Sequence, residues 1–216
     1  PMGLQYSITA IGSVILQTAV NGLGSLYVAA VAAGSKVTMF FCCPFDALGA
    51  TMATWAGQNV GAKKLDRVRE GVKYASIIGC IYAVIAFGVL TLFGKTIALL
   101  FLDADEAATI SNVSLFLIGN SAFYIPLVFV NVVRFAIQGM GFSKFAILAG
   151  VCEMAARTFA GICLIPIMGY PAACFTSPLA WIAADLFLIP AFRYCLRRLR
   201  NVFDGKENLE TGEMLP

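Results

Sequence analysis

The chain has 216 residues, 60% of them apolar and only 12% charged, with a formal net charge of +3 and no histidine. A globular chain is about 45–50% apolar and about 25% charged, and a mean hydropathy of +0.85 fits neither a disordered chain nor a soluble domain with a wet outer face. The absence of histidine excludes His-based triads, His-ligated haem and most catalytic zinc sites. The composition is that of an all-α, polytopic membrane protein.

A spanning helix needs about 20 mostly apolar residues. Six segments supply them, and the expected architecture is a six-helix transmembrane bundle over residues 1–200 with a polar cytoplasmic tail over 201–216. The first span is Leu4–Val20, closed by the turn Asn21-Gly22-Leu23-Gly24. The second runs from about Leu26 to Gly57. It is longer than a bilayer core at ~1.5 Å per residue, so it is tilted, bent at Pro44, or projects into water. The third is Val72–Phe93, the fourth Ile110–Gln138, the fifth Phe145–Ile167 and the sixth Ala172–Phe192. After Arg200 the tail turns polar and is expected to be disordered.

Short linkers make successive helices antiparallel, so alternate loops share a side. Loop two (Gln58–Lys73) carries Lys63, Lys64, Arg67, Arg69 and Lys73. Loop four carries Lys144, and the tail region carries Arg193, Arg197, Arg198, Arg200 and Lys206. Eleven basic residues therefore fall on one side, against Lys95 beside Asp103, Asp105 and Glu106 on the other. The positive-inside rule places the basic side and both termini in the cytoplasm of a cell membrane. These charges read as topology signals and contacts to anionic headgroups, so no nucleic-acid partner is expected.

Lys36, Arg134, Arg157, Asp46, Glu153 and Asp185 fall inside spans. Intramembrane charges cost about 2.5–3.5 kcal/mol each on insertion scales, so they are candidates for function by default. On the fourth helix, ~100° per residue gathers Asn120, Tyr124, Asn131, Arg134 and Gln138 into one polar sector. Such a stripe serves either a wet cleft or hydrogen bonding between helices. Glu153 and Arg157 stand at i, i+4 and can neutralise one another, as a fixed pair or as one that exchanges partners. Asp185 has no partner within its helix and is a candidate for binding a proton or cation. Asp46, Ala50, Ala53, Gly57 and Gly61 form a stripe suited to close helix contact, with Asp46 at its outer end, while Lys36 can snorkel.

Other signals carry less. The seven cysteines show no C-x-x-C spacing and read as small hydrophobes, so no metal site is expected. Gly88…Gly94-Lys95-Thr96 has the wrong spacing for a P-loop. With no adjacent acid–base constellation in water, neither an enzyme nor catalytic residues are expected.

The run Pro44-Phe45-Asp46-Ala47-Leu48-Gly49-Ala50-Thr51-Met52-Ala53-Thr54-Trp55-Ala56-Gly57-Gln58-Asn59-Val60-Gly61-Ala62-Lys63-Lys64-Leu65-Asp66-Arg67 resembles a signature of the multidrug and toxic compound extrusion (MATE) family. Gly57, Gln58, Asn59, Gly61 and Ala62 are its core, and Gln138-Gly139-Met140-Gly141 with Glu153 and Arg157 also resembles that family's second half. In physical terms, Gly57 and Gly61 permit close backbone approach, and Gln58 and Asn59 can satisfy helix-end carbonyls.

The resemblance implies half of a twelve-helix, cation-coupled antiporter that exports drugs and amphipathic organic cations from a bacterial cell using H⁺ or Na⁺, with no cofactor. This chain would be the carboxyl-terminal bundle, partnered by a missing amino-terminal six-helix bundle. The opening at Pro1 rather than Met fits a chain joined partway through a longer protein. In the sodium-coupled branch this half uses acids on its first and fourth helices. Here the first helix has none, and the fourth has Asn131 where an Asp is expected, so coupling would depend on Asp185, Glu153, Asp46 or acids in the other bundle. The alternatives are a related lipid-linked polysaccharide flippase, which needs a strongly basic cleft, and a non-transporting membrane assembly subunit, which needs no polar stripe.

Overall fold

The computed structural model describes the backbone of residues 2–102 and 106–205, and their side chains except for residues 2–6 and 9. Asp103, Asp105 and Lys206, which enter the charge-asymmetry argument, lie outside the described residues. The described chain is helical throughout, without a strand. The helices are α1 (Met2–Asn21), α2 (Ser25–Gly61), α3 (Leu65–Ala98), α4 (Ala107–Ser121), α5 (Tyr124–Gly139), α6 (Ser143–Phe159), α7 (Ile165–Met168) and α8 (Tyr170–Phe203), with a π-helical turn at Ala160–Leu164 joining α6 to α7.

Four of these stretches are long and apolar enough to cross a membrane: α2, α3, α8 and the run from α6 through α7. The bent pair α4–α5 makes a fifth, and α1 contributes a shorter apolar helix over Ala10–Asn21. Their outward surface suits lipid. On α3 alone Ile77, Ile78, Ile81, Val84, Ile85, Leu92 and Phe93 are exposed, an apolar face that water would not tolerate.

Proline explains two departures from the expected spans. The segment Ile110–Gln138 is not one helix: α4 and α5 meet at 51° across Ala122–Phe123. Pro126 lacks an N–H and its ring clashes with the carbonyl four residues back, which is that of Ala122. In the fifth segment, Pro166 likewise frees the carbonyl of Ile162, and the chain widens to the π turn at that level. Pro44, by contrast, sits inside an unbroken α2 whose 37 residues extend roughly 55 Å at ~1.5 Å per residue.

The interhelical turns are shorter than the sequence suggested. Loop two contracts to Ala62–Lys64, so Arg67, Arg69 and Lys73 ride on α3. Likewise α8 continues to Phe203, which makes Asn201–Phe203 helical where a disordered tail was expected. Between α5 and α6, Gly141 takes φ 93°, a conformation open to glycine at little cost, and turns the chain so that the two helices pack side by side.

The core is built around α5, every residue of which is buried from Val130 to Ile137. It packs against α2, α8, α3 and α6. The α2 contact is close: a Cβ on Gly139 would overlap the carbonyl oxygen of Ala53, and one on Gly57 would lie 3.3 Å from the carbonyl oxygen of Gly139. Larger residues would force these helices apart.

Candidate functional site: a charged cleft between the helices

A cavity of about 390 Å³ lies among α1, α2, α4, α5, α6 and α8. Its polar lining comprises Ser13 on α1, Ser35, Thr38, Cys42 and Asp46 on α2, Asn120 on α4, Asn131 and Arg134 on α5, Glu153 and Arg157 on α6, and Ser177 on α8. Met39, Phe116, Leu127, Val130, Phe135 and Trp181 supply the apolar wall. Polar groups converging on a concavity with an aromatic and aliphatic wall suit a small-molecule site, although this lining is more polar than most.

The charges centre on α5 and α6. Arg134 is ion-paired with Glu153, and Arg157 lies 3.6 Å from the other oxygen of the same carboxylate. All three residues are less than a tenth exposed. The i, i+4 spacing on α6 puts Glu153 and Arg157 on one face, and the short Gly139–Ser143 turn brings Arg134 against it. Asp46 from α2 and Asp185 from α8 are close enough to Arg134 for its charge to act on both. The buried Oδ1 of Asp185 accepts no hydrogen bond from the described residues.

Two fixed cations thus face three carboxylates. Arginine keeps its charge at any accessible pH, so one carboxylate is in excess. Of the three, Glu153 is buried, Asp185 half-buried and Asp46 exposed, and an excess carboxylate within a membrane bundle is relieved by a proton or a small cation. The array is therefore suited to taking up and releasing one positive charge.

Not every residue of the expected polar stripe reaches the cleft. Asn120, Asn131 and Arg134 line it, although Asn120 belongs to α4 and the others to α5. The Asn120 amide donates to the carbonyls of Phe116 (3.0 Å) and Cys174 (3.2 Å), tying α4 to α8. Tyr124 is fully buried behind the lining, its ring packed edge-on to Phe45 at 5.4 Å and tilted against Trp181 at 6.2 Å. Gln138 is half-buried and outside the lining, one turn beyond Arg134 on α5. Asp185 stands behind the cleft rather than in its wall. Lys36 is exposed and takes no part in the lining.

Of the α2 contribution, sequence reasoning named Asp46 but missed Ser35, Thr38 and Cys42. Ser35, Thr38, Cys42 and Asp46 recur at i, i+3, i+7 and i+11, a helical polar stripe that periodicity could have found. Ser13, Ser177 and Trp181 carry no such signal.

The Gly57–Ala62 segment serves the architecture around the cleft. The Asn59 side-chain amide donates to the carbonyl of Trp55 at 2.8 Å, and Lys64 N donates to Asn59 O at 2.8 Å, closing the α2–α3 turn. The Trp55 indole N–H donates across the hairpin to Arg67 O at 3.0 Å. Gly57 makes the close approach to Gly139, whereas the expected approach at Gly61 is absent: nothing stands within 4 Å of where its Cβ would be. Gln58 and Ala62 are exposed.

Comparison with known proteins gives the same architecture. A search of curated sequences returns no match. Among solved structures, an outward-facing multidrug resistance MATE family transporter of the MOP superfamily superposes with a TM-score of 0.78 at 19% identity, covering 87% of this chain and 42% of that one. A MOP superfamily transporter from Pyrococcus furiosus, described as having a binding pocket of reversed polarity, gives 0.79 at 18% identity over 100% and 46%. A MATE crystal structure in complex with MaL6 gives 0.84 at 16% over 92% and 45%. At these identities the likeness is one of fold, and the chain spans a little under half the length of each protein. The family profile MatE matches residues 1–163, three quarters of the sequence, and the chain therefore belongs to the MATE family.

Proposed function

We propose that this chain is the carboxyl-terminal six-helix bundle of an antiporter that exports amphipathic organic cations, coupled to inward movement of H⁺ or Na⁺. The observation that carries this reading is the excess carboxylate of the cluster: Asp46 and Glu153 in the cavity wall and Asp185 behind it, around Arg134 and Arg157. A coupling ion must be bound in one state and released in another, and a cationic drug must displace it rather than join it. An array with one uncompensated negative charge supports that exchange. Asp185 and Asp46 are the proposed ion-binding carboxylates, and Glu153 holds the arginines in place. Movement of Arg134 between Glu153 and the two aspartates is the proposed switch between inward-open and outward-open forms. The cavity wall carries two acids, Asp46 and Glu153, against two arginines, Arg134 and Arg157, which is not the strongly basic cleft that a pyrophosphate-linked glycan would need.

An amino-terminal bundle is proposed to complete the cleft, and the basic ends of α3 and α8 to face the cytoplasm of the cell membrane. Alternating access requires both bundles. The test is efflux of a cationic dye from proteoliposomes under an imposed H⁺ or Na⁺ gradient. Residues 1–216 alone should give no ion-driven efflux, whereas the chain joined to a six-helix amino-terminal bundle should. Ion-driven efflux by the chain alone would instead support a self-assembling half-transporter.

A further inference from the structure

A second concave region shares no lining residue with the cleft. It runs between α3 and α8 in two continuous parts, of about 550 Å³ and about 420 Å³, joined through Arg69, Phe192 and Arg193. The first part is cationic, lined by Arg69, Arg193, Arg197 and Arg200 with Phe192 and Leu196. The second adds Lys73 at its rim and is otherwise mostly apolar, with Ile77, Phe129, Val133 and Ile189 among its walls.

Helical spacing produces this division. Arg69, Lys73 and Ile77 stand at i, i+4 and i+8 on α3, and Ile189, Arg193 and Arg197 at the same intervals on α8. The Arg200–Asp66 ion pair, 2.9 Å, fixes the last turn of α8 beside the first turn of α3. The guanidinium groups therefore gather at the helix ends, and the apolar walls begin one to two turns deeper. Asp66 is paired with Arg200, and Glu70 lines a different depression beside Trp55 and Tyr74. The cationic part is thus left with a clear excess of positive charge.

We propose that this groove binds one anionic phospholipid, its phosphate held by Arg69, Arg193 and Arg197 and an acyl chain laid along Phe192, Ile77, Phe129 and Ile189. A free anion would satisfy the arginines but leave the apolar walls uncovered. A zwitterionic lipid would cover the walls but carry no net charge to meet the arginines. An anionic lipid does both, and basic pockets between membrane helices take such headgroups.

The test is native mass spectrometry of the full chain in detergent, supplied with equal amounts of dioleoylphosphatidylglycerol and dioleoylphosphatidylcholine. The expected result is one retained phosphatidylglycerol per chain in clear preference to phosphatidylcholine. Loss of roughly fivefold in affinity is expected for each arginine removed. The triple variant Arg69→Gln, Arg193→Gln, Arg197→Gln should therefore lose the preference, while Lys63→Gln, Lys64→Gln, Arg67→Gln should keep it. Water-soluble glycerol 3-phosphate at the same concentration should not displace the lipid. No preference in the parent chain overturns the proposal without recourse to any variant. So does equal loss in both triple variants, which would mark general surface charge, or displacement by glycerol 3-phosphate, which would mark a headgroup-only site.

Discussion

Arg134 on α5 and Glu153 on α6 form an ion pair whose side chains are 7% and 4% exposed, and Arg157 approaches the same carboxylate from one turn further along α6. One acid thus holds two buried arginines. That makes Glu153 the residue on which the arrangement of the cleft depends.

Glu153→Gln removes the charge and nearly preserves the shape, and takes from both Arg134 and Arg157 the carboxylate that they share. Breaking a buried pair in this way costs about 3–5 kcal/mol. The two remaining acids near Arg134 place the expected loss toward the lower figure. Unfolding in detergent micelles, followed by circular dichroism, measures it. An unchanged midpoint would mean that water already solvates the arginines.

Gly139→Ala should be among the most damaging single-methyl additions, because the new Cβ meets the carbonyl of Ala53 on the facing helix. Backbone cannot yield as a side-chain tip can, so a loss of about 1–3 kcal/mol is expected from overpacking at the α2–α5 contact. Gly61→Ala is the matched control, with open space at its Cβ position. It should change stability by no more than about 0.5 kcal/mol. Equal effects at the two sites would contradict the packing described.

Orientation follows from where the basic residues stand. Lys63, Lys64, Arg67 and Arg69 cluster at the α2–α3 turn, and Arg193, Arg197, Arg198 and Arg200 on the last turns of α8. In a cysteine-free background, Cys introduced at Glu106 should react with an impermeant maleimide added outside cells, and Cys at Lys64 should react only after permeabilisation. The reverse pattern would invert the orientation proposed for the bundle.

The parts of this molecule that were legible in the sequence are those set by local pattern. Apolar segment length marked where helices run, and the i, i+4 spacing of Glu153 and Arg157 marked their shared face. The need of Arg134 for an acid followed from burial alone, and Glu153 meets it. What escaped was non-local or depended on a single atom. The missing N–H of Pro126 breaks a helix that hydropathy reads as continuous, while on α5 itself Tyr124 is packed away behind the lining and Gln138 lies one turn beyond Arg134, outside it. The placing of Asp46 beside Arg134 joins residues 88 positions apart, a relation that only the packing of α2 against α5 creates. The polar face of α2 was masked by its strong apolarity, although Ser35, Thr38 and Cys42 keep a regular helical spacing.

The central claim is that the excess carboxylate of this cluster carries the coupling ion. Its most direct test is dye efflux by the complete two-bundle transporter at several pH values, comparing the parent with Glu153→Gln and Asp185→Asn at matched expression. Glu153→Gln should lower efflux at every pH, because the arginines lose their anchor. Asp185→Asn should change the pH dependence, because it removes a carboxylate proposed to exchange the ion. Parent-like efflux by both variants across the whole range would contradict the account and leave the cluster a purely structural one.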